Sequence, residues 1–289
     1  MKNAGERASP PFMLAAILTL LTAGVVFAEN INPANDGSKF AWSENLGWIN
    51  AQPGGPGGPG VQVADSVLTG YAWSENAGWI SASCTNDASC GTTSYGVTNN
   101  GCGTLSGYAW SENVGWIDFA CSTNGSCATA NYGVVINPKT GIFSGRAWSE
   151  NAGWITFASS GPNPYQMATS WRRAVPTGSP ALTAGKSAGT NVLLSWTALS
   201  GATSYDIVQG GLNALRSSNG NFQSTTQACV SDGTTATSLT STGTPNVGDG
   251  YWFLVRGANC GGKGTYNSGS PKQVGSRDSG IAASGNDCP

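Results

Sequence analysis

The chain has 289 residues, with 13 Lys and Arg against 15 Asp and Glu, no histidine, 42 glycines and 11 tryptophans. So sparse and balanced a charge offers no basic stripe to neutralise a phosphate backbone, which argues against a nucleic-acid partner. Without histidine there is no Ser-His-Asp or Cys-His pairing and no histidine-held metal, while the many large indoles are foreign to disordered chains.

In chain order, Lys2 and Arg7 precede an apolar stretch over residues 13–28 that ends in Val26-Phe27-Ala28. This pattern predicts a signal peptide over residues 1–28, cleaved before Glu29. Its apolar run is shorter than the roughly 18 residues of a membrane-spanning helix; retention as an uncleaved anchor is the alternative. No cysteine sits at the cleavage point to carry a lipid, and no second apolar segment follows. The expectation is a secreted, extracellular or cell-surface protein with no membrane span after signal cleavage.

Residues 29–175 are organised by one nonapeptide. "AWSENLGWI" at 41–49 returns as "AWSENAGWI" at 72–80, "AWSENVGWI" at 109–117 and "AWSENAGWI" at 147–155. The four opening tryptophans, Trp42, Trp73, Trp110 and Trp148, are spaced by 31, 37 and 38 residues, the mark of one supersecondary unit used repeatedly. In the fullest unit the sequence predicts a strand at 134–137, a turn at 138–141, a strand at 142–148, a second turn, and a strand at 153–158. The first unit departs from this, with "PGGPGGPG" at 53–60 predicting irregular or polyproline-like chain. The last ends in "SGPNPYQMATSWRRAVPTG", read as a terminal cap and linker. Arg172 and Arg173 there form the only adjacent basic pair and are expected to be solvated, as is Lys139 in its turn.

Within the nonapeptide, the five residues between the tryptophans suit chain reversal, so each copy predicts a hairpin with its indoles opposed. Burying one aromatic side chain removes about 150–250 Å² from water, and few other large apolar residues occur in these units. The expectation is therefore that Trp42, Trp48, Trp73, Trp79, Trp110, Trp116, Trp148 and Trp154 form the core. The alternative is that these rings stack on pyranose faces as a multivalent carbohydrate-binding array. Glu44, Glu75, Glu112 and Glu150 are expected at solvent-facing turns, since one carboxylate per unit falls short of the about 6–8 oxygens of a calcium cage. Asp118 near Glu112 keeps open a glycosidase that uses carboxylates alone, although a catalytic acid is normally singular whereas Glu recurs in every unit. No cofactor is expected.

Eight cysteines in an exported chain predict disulfides. Cys84 with Cys90 and Cys121 with Cys127 form short loops at equivalent places in successive units; the pairing of Cys102, Cys229, Cys260 and Cys288 is open. Zinc is a weak alternative in a chain without histidine.

From about Gly178 the pattern changes to "NVLLSWTAL", "SYDIVQG" and "GYWFLVRGAN", alternating at strand period between Gly/Ser/Thr turns. The runs "LLSWTALSGATSYDIV" and "VGDGYWFLVRGANCGGKGTYNSGS" resemble a fibronectin type III domain. The resemblance implies that Trp196 is the core tryptophan of its second strand, Tyr205 the aromatic of the third and Tyr251 the corner tyrosine, with Val255 facing the core. The segment 210–248, carrying Cys229, is longer than the family's usual connection. The AWSEN-x-GWI array is itself similar to tryptophan-rich repeats of bacterial secreted and cell-surface proteins, which implies location more than activity.

The whole therefore reads as all-β: an N-terminal array of four β-hairpin repeats over 29–175, a fibronectin type III-like β-sandwich over 176–277, and a C-terminal tail over 278–289 tied by Cys288. The function expected is non-catalytic and structural or adhesive, at the cell surface or in extracellular matrix, with extracellular polysaccharide, another surface protein or self-association as partner. A lectin-like module is the alternative and a secreted glycosidase a minor one.

Overall fold

A computed structural model describes residues 30–55, 60–189, 191–273 and 275–289. The expected signal peptide lies outside these residues, as do residues 56–59 of the Pro/Gly run at 53–60. The chain is predominantly β.

The first half contains β1 (Phe40–Ser43), β2 (Gly47–Asn50), β3 (Gln62–Val63), β4 (Leu68–Thr69), β5 (Tyr71–Ser74), β6 (Gly78–Ser81) and β7 (Val97–Asn99). There follow β8 (Leu105–Ser111), β9 (Gly115–Asp118), a one-turn helix α1 (Cys121–Asn124), β10 (Val134–Ile136), β11 (Phe143–Ser149), β12 (Gly153–Thr156), β13 (Ala158–Ser159) and β14 (Tyr165–Gln166). Each nonapeptide makes one antiparallel hairpin: β1–β2, β5–β6, β8–β9 and β11–β12. Neighbouring hairpins then pair β2–β5, β6–β8 and β9–β11. The last strand returns to the first, with Trp42 opposite Thr156 and Ser43 opposite Ile155. Eight strands thus close into a barrel without a free edge at this level, which removes the aggregation hazard of an exposed strand.

Closure overturns the expectation that the indoles are the core. Successive residues of a strand point to opposite faces, so in Ala-Trp-Ser the tryptophan faces away from whatever the alanine and serine face. The inward set is Ala41, Ile49, Ala72, Ile80, Ala109, Ile117, Ala147 and Ile155, every one buried. An eight-stranded barrel encloses only enough room for side chains to fill, and a ring of tryptophans would not fit there. Phe119, Phe143, Phe157 and Met167 complete the interior, which leaves only a small apolar cavity of about 60 Å³. Trp42, Trp48, Trp73, Trp79, Trp110, Trp116, Trp148 and Trp154 all stand on the outside.

Two devices hold the ring. In each copy the glycine before the second tryptophan (Gly47, Gly78, Gly115 and Gly153) sits at φ between 66 and 73°, a left-handed conformation that glycine adopts without a Cβ penalty. The second device is a circular belt of side-chain bonds. Ser74 Oγ and Asn76 Nδ2 both donate to the Leu46 carbonyl of the preceding hairpin, at 2.9 and 3.3 Å. Ser111 and Asn113 do the same to Ala77, and Ser149 and Asn151 to Val114. Ser43 and Asn45 close the circle on Ala152, at 3.1 and 3.2 Å. The one variable position of the nonapeptide therefore supplies the accepting carbonyl, and its side chain (Leu46, Ala77, Val114 or Ala152) is buried.

A second tier lies away from the hairpin tips. β7 and β10 pair with the leading halves of β8 and β11, and bridges join Val67 to Thr98, Thr104 to Val135, Ile142 to Ala168 and Ile31 to Thr169. The backbones approach so closely that a Cβ on Gly107 would lie 2.1 Å from the Gly96 carbonyl oxygen. The segment read as a terminal cap and linker is woven into this tier: Met167 and Trp171 are buried, and Trp171 Nε1 donates to Asp65 at 2.8 Å. The Arg172–Arg173 pair is correspondingly not a free linker feature. Arg172 donates to the Thr169 and Trp171 carbonyls, and Arg173 pairs with Asp65 at 2.9 Å.

The second half comprises β15 (Leu182–Lys186), β16 (Val192–Trp196), β17 (Ser204–Gly211), α2 (Leu212–Ser217), α3 (Phe222–Thr225), β18 (Thr226–Thr234), β19 (Ser238–Ser241), β20 (Tyr251–Asn259), β21 (Gly262–Lys263) and α4 (Arg277–Ala283). Two sheets form, of order β15-β16-β19 and β18-β17-β20-β21. They share a core of Leu194, Trp196, Tyr205, Ile207 and Val255. The long 210–248 connection holds the short helices α2 and α3. Residues 278–289 are no loose tail, because Ile281 and Cys288 are buried with Val208, Trp252 and Tyr266 in a second cluster. Beside it Arg256 is paired with Asp206 at 2.9 Å and Asp287 at 3.2 Å.

All eight cysteines are bonded. Cys84–Cys90 and Cys121–Cys127 close local loops, Cys229–Cys288 anchors the C-terminal segment, and Cys102–Cys260 ties the barrel to the second half. Such dense cross-linking suits an oxidising compartment.

Candidate functional site

The outer face of the barrel is where the unexplained residues gather. In each hairpin the two tryptophans are directly opposed across the strands, as Trp42 is to Trp48. Their ring centroids lie 4.9 Å apart in the first hairpin, 5.0 Å in the second, 4.5 Å in the third and 4.6 Å in the fourth. The first two pairs meet edge-to-face and the other two tilted, and aromatic contact of this kind adds about 0.5–1.5 kcal/mol beyond burial. It also tilts one ring outward. Trp48, Trp79 and Trp116 are 49, 50 and 42% exposed, whereas Trp42, Trp73, Trp110, Trp148 and Trp154 are half-buried.

Further aromatics surround each pair. Two residues before the first tryptophan stand Phe40, Tyr71 and Tyr108, each packed edge-on against the second tryptophan of its hairpin. Tyr165 of β14 packs against Trp48, and Tyr95 and Tyr132, in the chain leading into β7 and β10, pack against Trp116 and Trp154. Sequence reasoning did not single out these tyrosines, although the recurring "SYGV" and "NYGV" that open successive units carried the signal.

Between hairpins the aromatic surface forms grooves. One, of about 560 Å³, has Tyr71, Trp73 and Trp79 on one side and Trp110, Glu112 and Asn113 on the other, with Asp87 at its edge. The next, of about 730 Å³, repeats the plan with Tyr108, Trp110 and Trp116 facing Trp148, Glu150 and Asn151, and with Tyr95 added. Both fall within the range of about 300–1,000 Å³ typical of small-ligand sites. Neither is lined by a lysine or arginine. The 60 Å³ interior cavity is wholly apolar and smaller than a sugar residue, so the barrel interior is core rather than site.

Glu44, Glu75, Glu112 and Glu150 are exposed at the hairpin tips. Glu112 and Asp118 do not converge: Glu112 lines the first groove and Asp118 the second. Asp118 is buried, accepting from the Tyr132 hydroxyl at 3.0 Å and from the Ala120 N–H at 3.1 Å. Burial, together with the bond to Asp118, pushes the Tyr132 phenol above its ordinary range. That pair is a structural brace. Among the described residues no group of three or more acidic or cysteine side chains is gathered as a metal site would require.

Among the described residues no helix is long and apolar enough to cross a membrane. The barrel strands are four to seven residues long, against the about 9–11 of a transmembrane β-strand. Neither a protein-family model nor any curated protein matches this chain.

Proposed function

We propose that this is an exported, non-catalytic protein that binds polysaccharide multivalently through the indole-lined grooves between its hairpins. The observation that carries the reading is the exposure of Trp48, Trp79 and Trp116 beside a polar rim of Glu and Asn. A pyranose presents an apolar face that covers an indole, and its rim hydroxyls need polar partners of this kind. Repetition of weak sites around one rigid barrel supplies avidity. The structural or adhesive role expected of such repeats then becomes attachment of a cell surface or matrix through glycan contact.

The second half is read as a fibronectin type III-like module that spaces or presents the barrel. Support comes from its three-plus-four strand order, the buried Trp196 and Tyr205, and the Tyr251 hydroxyl donating back to the Thr244 carbonyl at 3.2 Å. The last contact is the upstream bond expected of a corner tyrosine.

Affinity electrophoresis of the disulfide-intact protein through gels containing neutral or amino polysaccharides tests the proposal. Retardation by at least one polymer is expected, with its loss in the triple variant Trp48→Ala, Trp79→Ala, Trp116→Ala. Mobility identical in every gel would sink the reading.

A further inference from the structure

The fourth hairpin differs from the other three at one outward position, and the difference points to the chemistry of the ligand. Where the first three carry Phe40, Tyr71 and Tyr108, the fourth carries Arg146. Its guanidinium lies 4.1 Å from the centroid of the Trp154 ring, well inside the about 6 Å reach of a cation–π contact. Trp154 is half-buried, whereas its equivalents Trp48, Trp79 and Trp116 are exposed. The chain's own cation thus takes, against Trp154, the place that an aromatic ring takes edge-on against the equivalent indole in the other copies, which shows that this indole surface accepts a cation.

The open grooves are also acidic. The first combines Trp73, Trp79 and Trp110 with Asp87 and Glu112, and the second places Glu150 beside Trp116 and Trp148. Ser89, whose backbone N–H donates to Asp87 at 3.1 Å, holds that carboxyl below the usual carboxylate range. An aromatic face beside a carboxylate suits an ammonium group, by ring quadrupole and by charge together.

We infer that the grooves select polysaccharides whose sugars carry free amino groups, the ring face lying on an indole and the ammonium between a neighbouring indole and the groove's glutamate. This rests on the glycan-binding reading above and narrows it to one class: polymers of de-N-acetylated amino sugar, in preference to neutral or uronic-acid chains.

The test uses the disulfide-intact protein and three probes: a glucosamine hexasaccharide, its fully N-acetylated counterpart, and a galacturonate hexasaccharide, each followed by isothermal titration calorimetry. The amine-bearing probe is expected to bind about tenfold tighter than the acetylated one, by the sum of a cation–π and an ion-pair contribution, and this margin should shrink as salt is raised. Glu112→Gln and Glu150→Gln are each expected to weaken the amine-bearing probe about threefold and the acetylated probe by less, so that the ratio between the two affinities falls. Arg146→Ala should uncover Trp154 and add one binding position to the measured stoichiometry. Equal affinity for the amine-bearing and acetylated probes, or tighter binding of the galacturonate, overturns the inference while leaving glycan binding intact. An unchanged stoichiometry in Arg146→Ala overturns the assignment of that indole face as a cation seat. Failure of all three probes, with no retardation by neutral polymers, removes the glycan-binding reading itself.

Discussion

The sharpest test of this architecture compares two adjacent residues of one strand. Ile80 is 7% exposed and points into the barrel, while Trp79 is 50% exposed and points out. Truncating a buried isoleucine to alanine costs about 2–5 kcal/mol, because the emptied volume is only partly refilled. A fully buried indole removes about 150–250 Å². Half of that at ~25 cal/mol/Å² is roughly 2–3 kcal/mol gross, and allowance for what alanine retains and for a compact unfolded state brings it to about 1–2 kcal/mol. Ile80→Ala should therefore destabilise by about 3.5 kcal/mol and Trp79→Ala by about 1.5 kcal/mol, although the tryptophan loses far more atoms. At about 2–4 °C per kcal/mol, the two melting temperatures should separate visibly in far-UV circular dichroism. Urea titration supplies the free energies. The same order is expected for Ile49 against Trp48 and for Ile117 against Trp116. Should the tryptophan variant lose as much as its isoleucine neighbour in all three hairpins, the indoles are core and the inside-out assignment is refuted.

Three further outcomes follow from other parts of the molecule. Ser74→Ala and Asn76→Ala should each cost about 1 kcal/mol or less, since the Leu46 carbonyl keeps one donor, and the double variant more than their sum, since a buried acceptor is then orphaned; a strictly additive double-mutant cycle in urea unfolding would contradict the belt. Replacing Cys102 and Cys260 by serine opens a loop spanning 158 residues, worth about 5 kcal/mol in the chain-entropy model. Calorimetry should then resolve two transitions where the tied protein shows tighter coupling, and a single unshifted transition counts against that coupling. Tyr266, fully buried, is held neutral well above the ordinary phenol range, chiefly by burial and further by Asp287 and Asp206. Its contribution is full below the unfolded value of about 10 and is lost as pH rises beyond it, because the unfolded chain releases the proton first; Tyr266→Phe should flatten the alkaline loss of stability, and an unchanged profile would refute the assignment.

The positions of strands and turns in the repeats were legible because turn chemistry and β-branched or aromatic runs are local signals. The direction of each face was not. In Ala-Trp-Ser the alternation is plain, but burying Trp or burying Ala gives the same period, and side-chain size argued for Trp. What decides the matter is the pairing of β12 with β1, which joins Ser43 to Ile155 and sets an interior too narrow for indoles. No local feature announces a contact so distant in sequence. For the same reason Ser43 and Asn45 read as turn formers, whereas their side chains reach Ala152 and close the ring. Of the disulfides, the two short loops were visible in their spacing; Cys102–Cys260 was not, because it depends on how two separately folded halves meet. Arg172 and Arg173 looked idle only because their partners, the Thr169 carbonyl and Asp65, are supplied by the woven second tier.

Internal repetition allows one more step. Four copies of the nonapeptide share one fold, so what the barrel requires can be separated from what it tolerates. Ala and Ile fill the interior, Ser and Asn make the belt, and Gly turns the chain. The position between Asn and Gly is buried in every copy and still drifts from Leu46 to Ala77, Val114 and Ala152, so even interior packing has had room to change. The outward position before each first tryptophan pair has drifted further, through Phe40, Tyr71, Tyr108 and Arg146. Neither drift has touched the two tryptophans or the glutamate. An outward cross-strand pair needs only aromatic or β-branched residues for its contribution of about 0.2–1 kcal/mol, and an exposed glutamate at a hairpin tip contributes little to folding. Stability therefore accounts for six of the nine kinds of position, calls for an aromatic or β-branched side chain but not for an indole at the two Trp positions, and does not call for the Glu; these three are side chains that line the grooves.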